Sequence, residues 1–256
     1  MNTLKSKVDM LNLDTFPRTL LLNGEKGCGK HTLLKYISSH LSLEVEDITD
    51  NISLELISDI MLRPNPTIYV IDIDKLTLNE ENAILKFLEE PLKNSFIILL
   101  SENKYNLIPT IFNRCVIWDF APYEKEYLRN FLVDKNQDMI LEYATTPGKV
   151  IEYCNHKIYD MVALANKIFD NISKANIANA LSLSKYLSFK SEKDKFDVDI
   201  FFDILKKVAE KRYVNNLGIF KHWELTSKLV KKCKIKNVDK KLLFDSYIIE
   251  MYMITR

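Results

Sequence analysis

The residues best suited to chemistry lie near the amino end, in Gly24-Glu25-Lys26-Gly27-Cys28-Gly29-Lys30. A glycine-rich loop between a strand and a helix lets successive backbone N–H groups curl around phosphate oxygens, while the lysine reaches the β- and γ-phosphates. The helix that starts there adds the positive end of its dipole. Thr19-Leu20-Leu21-Leu22, directly upstream, reads as the strand. Gly24, Gly27, Gly29, Lys30, His31 and Thr32 are therefore candidate nucleotide-binding positions, with ATP or ADP as the expected ligand. A Ser or Thr normally follows the lysine to hold Mg²⁺. His31 stands there instead, and Thr32 lies one helical step of about 100° further round. The loop suits phosphate; the Mg²⁺ ligand is missing.

A second motif belongs to the same chemistry. Ile68-Tyr69-Val70-Ile71-Asp72 is an apolar strand ending in a carboxylate, about forty residues after the loop. Such an Asp steers Mg²⁺ beside the phosphates; the alternative is a strand-end residue capping the next turn. A Glu following it would polarise an attacking water, but Ile73 occupies that position and cannot accept a proton. Alternation along the strand points Asp74 differently from Ile73.

Around these residues the first half of the chain alternates strand and helix. Strands are expected at Thr19–Asn23, Leu43–Ile48, Thr67–Asp72, Ser95–Ser101 and Val116–Phe120. Helices are expected over about Lys30–Leu41, Ser53–Leu62, Asn79–Glu90 (stopped by Pro91) and Pro109–Arg114. This order implies a parallel sheet covered on both faces. After Pro122 the strand signal disappears. Glu124–Val133 and Met139–Ala144 read as short helices, and Pro147-Gly148 opens another. Beyond Asn155 the pattern is helical, with Phe201, Leu205, Val208 and Ala209 on one face and Leu243, Tyr247 and Met251 on another. Ser188–Lys195 is the most polar connector.

Composition sets outer bounds. The 256 residues are 47% hydrophobic and 28% charged with a formal net charge of +1, which gives no support to a free-standing nucleic-acid binder. No run approaches the roughly 20 apolar residues that cross a bilayer, and Met1–Pro17 lacks a signal-peptide core. Cys28, Cys115, Cys154 and Cys233 form no CxxC pair. No zinc site or disulfide framework is expected, and a reducing cytoplasm is.

Asn82-Ala83-Ile84-Leu85-Lys86-Phe87-Leu88-Glu89-Glu90-Pro91 makes a resemblance specific. It is similar to the NALLKxLEEP signature of bacterial clamp-loader AAA+ subunits. Asn113-Arg114-Cys115 resembles their Ser-Arg-Cys motif. Thr146-Pro147-Gly148-Lys149 resembles the Ser-Pro-Gly turn of the delta-prime family of DNA polymerase III subunits. The similarity runs in order from about Leu20 to Tyr153. It implies a P-loop AAA+ α/β domain over 1–121, a helical lid over 122–180 and an all-α collar for oligomerisation over 181–256.

The resemblance also implies roles. Arg114 matches the arginine finger projected into a neighbour's ATP site, where a guanidinium stabilises charge on the γ-phosphate. Ser101 matches the first sensor and Lys149 the second. The implied partners are motor and delta-type subunits of a hetero-oligomeric ring, the sliding clamp, and primer-template DNA through the assembled complex, with no membrane. His31 and Ile73 depart from the hydrolytic pattern, Asn113 replaces the serine of Ser-Arg-Cys, and the family's four-cysteine zinc module is absent. Loss of two hydrolytic groups beside a retained finger fits a subunit without independent catalysis. An autonomous P-loop ATPase or kinase, a motor-type subunit, and an interaction module with a vestigial nucleotide site are the alternatives. Glu89 and Glu90 read as a solvated helix end rather than paired catalytic acids. The eight lysines of Lys221–Lys241 read as a solvated face, with contact to phosphates or an acidic partner as the other reading.

Overall fold

The computed structural model describes residues 2–89, 95–174, 176–183, 197–213, 220–233 and 238–255. The chain falls into two compact units. The first runs to Glu124 and includes Thr146–Lys149; the second comprises Lys125–Thr145 and the chain from Val150 onward.

In the first unit, helix α1 (Asn2–Asp9) precedes strand β1 (Thr19–Asn23) and helix α2 (Lys30–Leu41). Strand β2 (Glu44–Asp47), helix α3 (Leu54–Leu62), strand β3 (Thr67–Asp72) and helix α4 (Leu78–Glu89) follow. Strand β4 (Phe96–Ser101), helix α5 (Pro109–Phe112) and strand β5 (Val116–Asp119) complete it. The strands form one parallel sheet in the order β2-β3-β4-β1-β5. Strand side chains alternate between faces, and the sequence supplies apolar residues for both. Leu20, Leu22, Val70, Ile98 and Leu100 pack with Leu4, Val8, Leu33 and Ile37 of α1 and α2. Leu21, Tyr69, Ile71, Ile97 and Leu99 pack on the other side with Ile57, Ile60, Ile84 and Phe87 of α3 and α4. Each such side chain contributes about 1.5–3 kcal/mol by leaving water, which is why the strands read as unbroken apolar runs.

α4 begins in a capping box: the Thr77 N–H and hydroxyl donate to Glu80 Oε2 at 2.7 and 2.8 Å. Its expected stop at Glu90-Pro91 lies outside the described residues, as does the Ser188–Lys195 connector.

Among its described residues the second unit is helical. Helix α6 (Lys125–Leu128) and 3₁₀ turns at Arg129–Phe131 and Lys135–Glu142 lead to helix α7 (Pro147–Cys154), whose first turn belongs to the first unit. Helices α8 (Ile158–Ser173), α9 (Ile177–Leu183), α10 (Val198–Tyr213), α11 (Phe220–Cys233) and α12 (Lys240–Thr255) follow. The short helix expected over Met139–Ala144 is present as 3₁₀, in a segment that runs from Lys135 to Glu142 and is kinked at Gln137. The expected helix over Glu124–Val133 is shorter. Phe201, Phe202, Phe244 and Tyr247 form the aromatic centre, with Phe201 edge-on to Phe244 at 5.9 Å. Arg212 ties α10 to α8, donating to Asp170 Oδ1 at 2.9 Å and to Asn166 Oδ1 at 2.8 Å. None of the described helices is long and apolar enough to cross a membrane.

Candidate functional site

The loop after β1 owes its shape to its two inner glycines. Gly27 has φ 79° and Gly29 φ 104°, a left-handed conformation that a side chain resists. The Gly24 N–H donates to Ser101 O at 3.0 Å, and the Cys28 N–H closes a turn on Glu25 O at 3.2 Å. α2 then starts at Lys30 with Gly29 as its cap. Successive turns of this kind leave N–H groups directed at an anion. The Lys30 ammonium lies over the loop, bonded to the carbonyl of Gly24 and 3.4 Å from that of Glu25. Burial pushes the Cys28 thiol up, more than the nearby Lys30 ammonium pulls it down. Cys115 is pushed up to about 12 by burial. Both thiols therefore stay protonated and unreactive near neutrality.

The neighbouring strands bring Asp72 and Ser101 to the same edge of the sheet. Asn23 registers with Ser101, and Asp72 with Leu100. Asp72 pairs with Lys75 Nζ at 3.3 Å. Ile73 turns into the core beside Tyr69 and Ile71 and is 2% exposed. Ser101 is fully buried; its hydroxyl donates to Asp74 Oδ1 at 3.0 Å and accepts from the Asn103 N–H at 3.1 Å. The Asp74 carboxylate also accepts from the Glu102 N–H. Partial desolvation raises its pKa against the pull of these two bonds.

Phosphate therefore fits this edge, because a glycine loop, a lysine and a helix start converge there. Mg²⁺ does not. His31 and Thr32 are exposed on the outer surface of α2, and Asp72 is shared with a lysine. Among the described residues no group of three or more His, Cys, Asp or Glu could hold a metal ion.

The segment Thr146–Lys149 closes on this loop. Thr146 Oγ1 donates to Lys26 O at 2.8 Å, and the Gly148 N–H to Gly27 O at 3.0 Å. A Cβ on Gly148 would lie 2.5 Å from Gly27 Cα, so the two backbones need two glycines to approach this closely. Lys149 Nζ sits 3.7 Å from Glu25 Oε2. Tyr123, which no sequence motif singles out, donates its hydroxyl to Cys28 O at 2.6 Å.

Arg114 occupies the opposite edge. It follows α5 and precedes β5, and it donates to Thr110 O at 2.7 Å and to Glu89 Oε1 at 2.8 Å. The far end of β5 abuts the phosphate loop, for the Phe120 N–H donates to Asn23 O at 2.9 Å. Arg114 lies in the turn before β5, and the four strand residues Val116–Asp119 alone put about 13 Å of extended chain, at about 3.3 Å per residue, between it and the loop. The guanidinium is thus beyond reach of its own loop. Glu89, exposed at the end of α4, serves as partner to that guanidinium.

A parallel sheet in this order, with a glycine-rich loop after β1 and helices on both faces, followed by a helical unit, is the α/β and then all-α architecture that the sequence predicts. Residues 42–124 match the family model described as DNA polymerase III, delta subunit. The DNA polymerase III subunit delta-prime of Haemophilus influenzae is 26% identical over 142 residues, 49% of this chain and 43% of that protein. The Bacillus subtilis subunit delta-prime is 33% identical over 76 residues, 29% of this chain and 23% of that one. A DNA polymerase III gamma subunit-related protein from Thermotoga maritima aligns over 100% of this chain and 99% of its own at 16% identity, with a TM-score of 0.47. The chain is thus delta-prime-like, and its alignments span less than half the length of these two delta-prime subunits.

Proposed function

We propose that this chain is a finger-donating subunit of a DNA polymerase III clamp loader. Arg114 completes the ATP site of a neighbouring motor subunit, so that nucleotide binding around a hetero-oligomeric ring loads the sliding clamp at primer-template DNA. The observation that carries this reading is the position of Arg114. It is exposed, held by the Glu89 carboxylate and the Thr110 carbonyl, and on the edge of the sheet away from its own phosphate loop. A guanidinium so placed acts only on phosphates supplied by another subunit, where such a group is worth about 10³–10⁵ in rate.

The chain's own loop binds the phosphates of ATP or ADP through Gly24, Gly27, Gly29 and Lys30, with Asp72, Ser101 and Lys149 around them, and does not hydrolyse. Ile73 in the core offers no base for water, and the Ser101 hydroxyl is committed to Asp74. Residues 1–121, 122–180 and 181–256 act as P-loop α/β, lid and collar domains in this reading. The test is ATP turnover by the chain alone. None is expected; turnover abolished by Lys30→Ala would replace this reading with an autonomous ATPase. The bond from Lys30 to its own loop favours a second reading, a vestigial site, which requires that no nucleotide binds at all.

A further inference from the structure

Three consecutive carbonyls of the phosphate loop are each taken by a donor from outside it. Lys26 O accepts from Thr146 Oγ1 at 2.8 Å, Gly27 O from the Gly148 N–H at 3.0 Å, and Cys28 O from the Tyr123 hydroxyl at 2.6 Å. A planar trans peptide points its N–H away from its C=O. Pinning these carbonyls outward therefore turns the N–H groups of Gly27, Cys28 and Gly29 toward the loop's interior. Cys28 uses its own on Glu25 O at 3.2 Å, which leaves those of Gly27 and Gly29 for an anion.

We infer that Tyr123 and Thr146 are positioning residues that set this nest before any phosphate arrives, and that the loop consequently binds a phosphate chain without a divalent cation. Glycine peptides flip readily, so an unsupported loop has to be ordered by its ligand, and that ordering weakens binding. Here folding does the ordering. Thr146 is 3% exposed, and its hydroxyl also accepts from the Lys149 N–H at 3.3 Å, which caps α7 and fixes the direction in which it donates. The close Gly27–Gly148 approach sets the distance over which these bonds act. The metal-free mode follows from the donor set: backbone N–H groups, Lys30 and the start of α2 supply the positive charge, and no hydroxyl follows Lys30 to hold Mg²⁺. The ligand class is the phosphate chain of a nucleoside di- or triphosphate. The inference rests on the nucleotide-binding reading above.

The test is calorimetric titration of ADP into the full chain, with EDTA and again with Mg²⁺, for wild type, Tyr123→Phe, Thr146→Val and Thr146→Ser. Wild type is expected to bind equally in both buffers. Tyr123→Phe and Thr146→Val are each expected to weaken binding about three- to tenfold, the worth of one hydrogen bond, and Thr146→Ser to restore it. Amide exchange at Gly27 and Gly29, faster in the two weakened variants while the unfolding midpoint holds, separates loop ordering from global stability. Equal affinity in all four chains overturns the positioning role and leaves the nucleotide reading intact. Binding that needs Mg²⁺ overturns the metal-free mode. No binding by wild type in either buffer overturns both this inference and the nucleotide reading.

Discussion

The two edges of the sheet are built in opposite ways. At the carboxyl ends of β1, β3 and β4 the polar side chains of the site are held by the protein, and backbone N–H groups of the loop are left for an anion. Lys30 bonds a loop carbonyl, Asp72 pairs with Lys75, Ser101 holds Asp74, and Thr146 and Tyr123 fix the loop itself. At the amino end of β5, Arg114 lies at the surface, bonded to the Thr110 carbonyl and the Glu89 carboxylate. Rigid, satisfied polar networks suit static binding and shape. A surface charge held by two exposed hydrogen bonds can exchange them for a new partner. The difference teaches how the proposed account divides the work: the loop is a preset phosphate site, and Arg114 is the group offered to a neighbour.

Four outcomes would sharpen or break that contrast. Gly148→Ala should cost about 1–3 kcal/mol of stability, the usual penalty of forcing packed backbone apart, measured by urea unfolding; an unchanged midpoint would mean the Gly27–Gly148 approach is not tight. Ser101→Ala should cost about 1 kcal/mol by stranding the Asn103 N–H, and a neutral result would show that Ser101 is free to face a ligand. Arg114→Ala should change stability by no more than about 0.5 kcal/mol, as exposed ion pairs do; a loss above about 2 kcal/mol would make Arg114 a structural residue.

The smallest effect concerns pH. The folded pKa of Asp74 is raised above its ordinary 3.8, so its contribution to stability is full below that value and declines as pH rises through the raised one. Asp74→Asn should flatten the unfolding free energy between pH 3.8 and neutrality. An unaltered slope would mean that the carboxylate is fully solvated.

Much of the first unit was readable because both sheet faces are buried, which leaves strands such as Phe96–Ser101 as plain apolar runs between helices. The loop glycines were readable for the same reason that they are needed, since few other residues tolerate their backbone. α1 was not read, because only Leu4 and Val8 anchor it in the core. The helical spacing of Met139–Ala144 is legible, but that the helix is 3₁₀, starts upstream at Lys135 and is kinked at Gln137 is not. Tyr123 was invisible for another reason: its partner is a backbone carbonyl, available on any residue, 95 positions away. The pairing of Arg114 with Glu89 joins two quoted motifs, but their separation of 25 positions hides it.

The central claim is that Arg114 acts on a neighbour's nucleotide. The direct measurement is DNA- and clamp-stimulated ATP hydrolysis by a clamp loader reconstituted with wild-type chain, with Arg114→Ala and with Arg63→Ala. Arg63 is an exposed arginine of the same unit, ion-paired to Glu46 and Asp59, and controls for loss of charge. Turnover that falls steeply with Arg114→Ala, about 10³-fold or more at the adjoining site, and holds with Arg63→Ala is the predicted result. Equal turnover in all three assemblies would contradict the account.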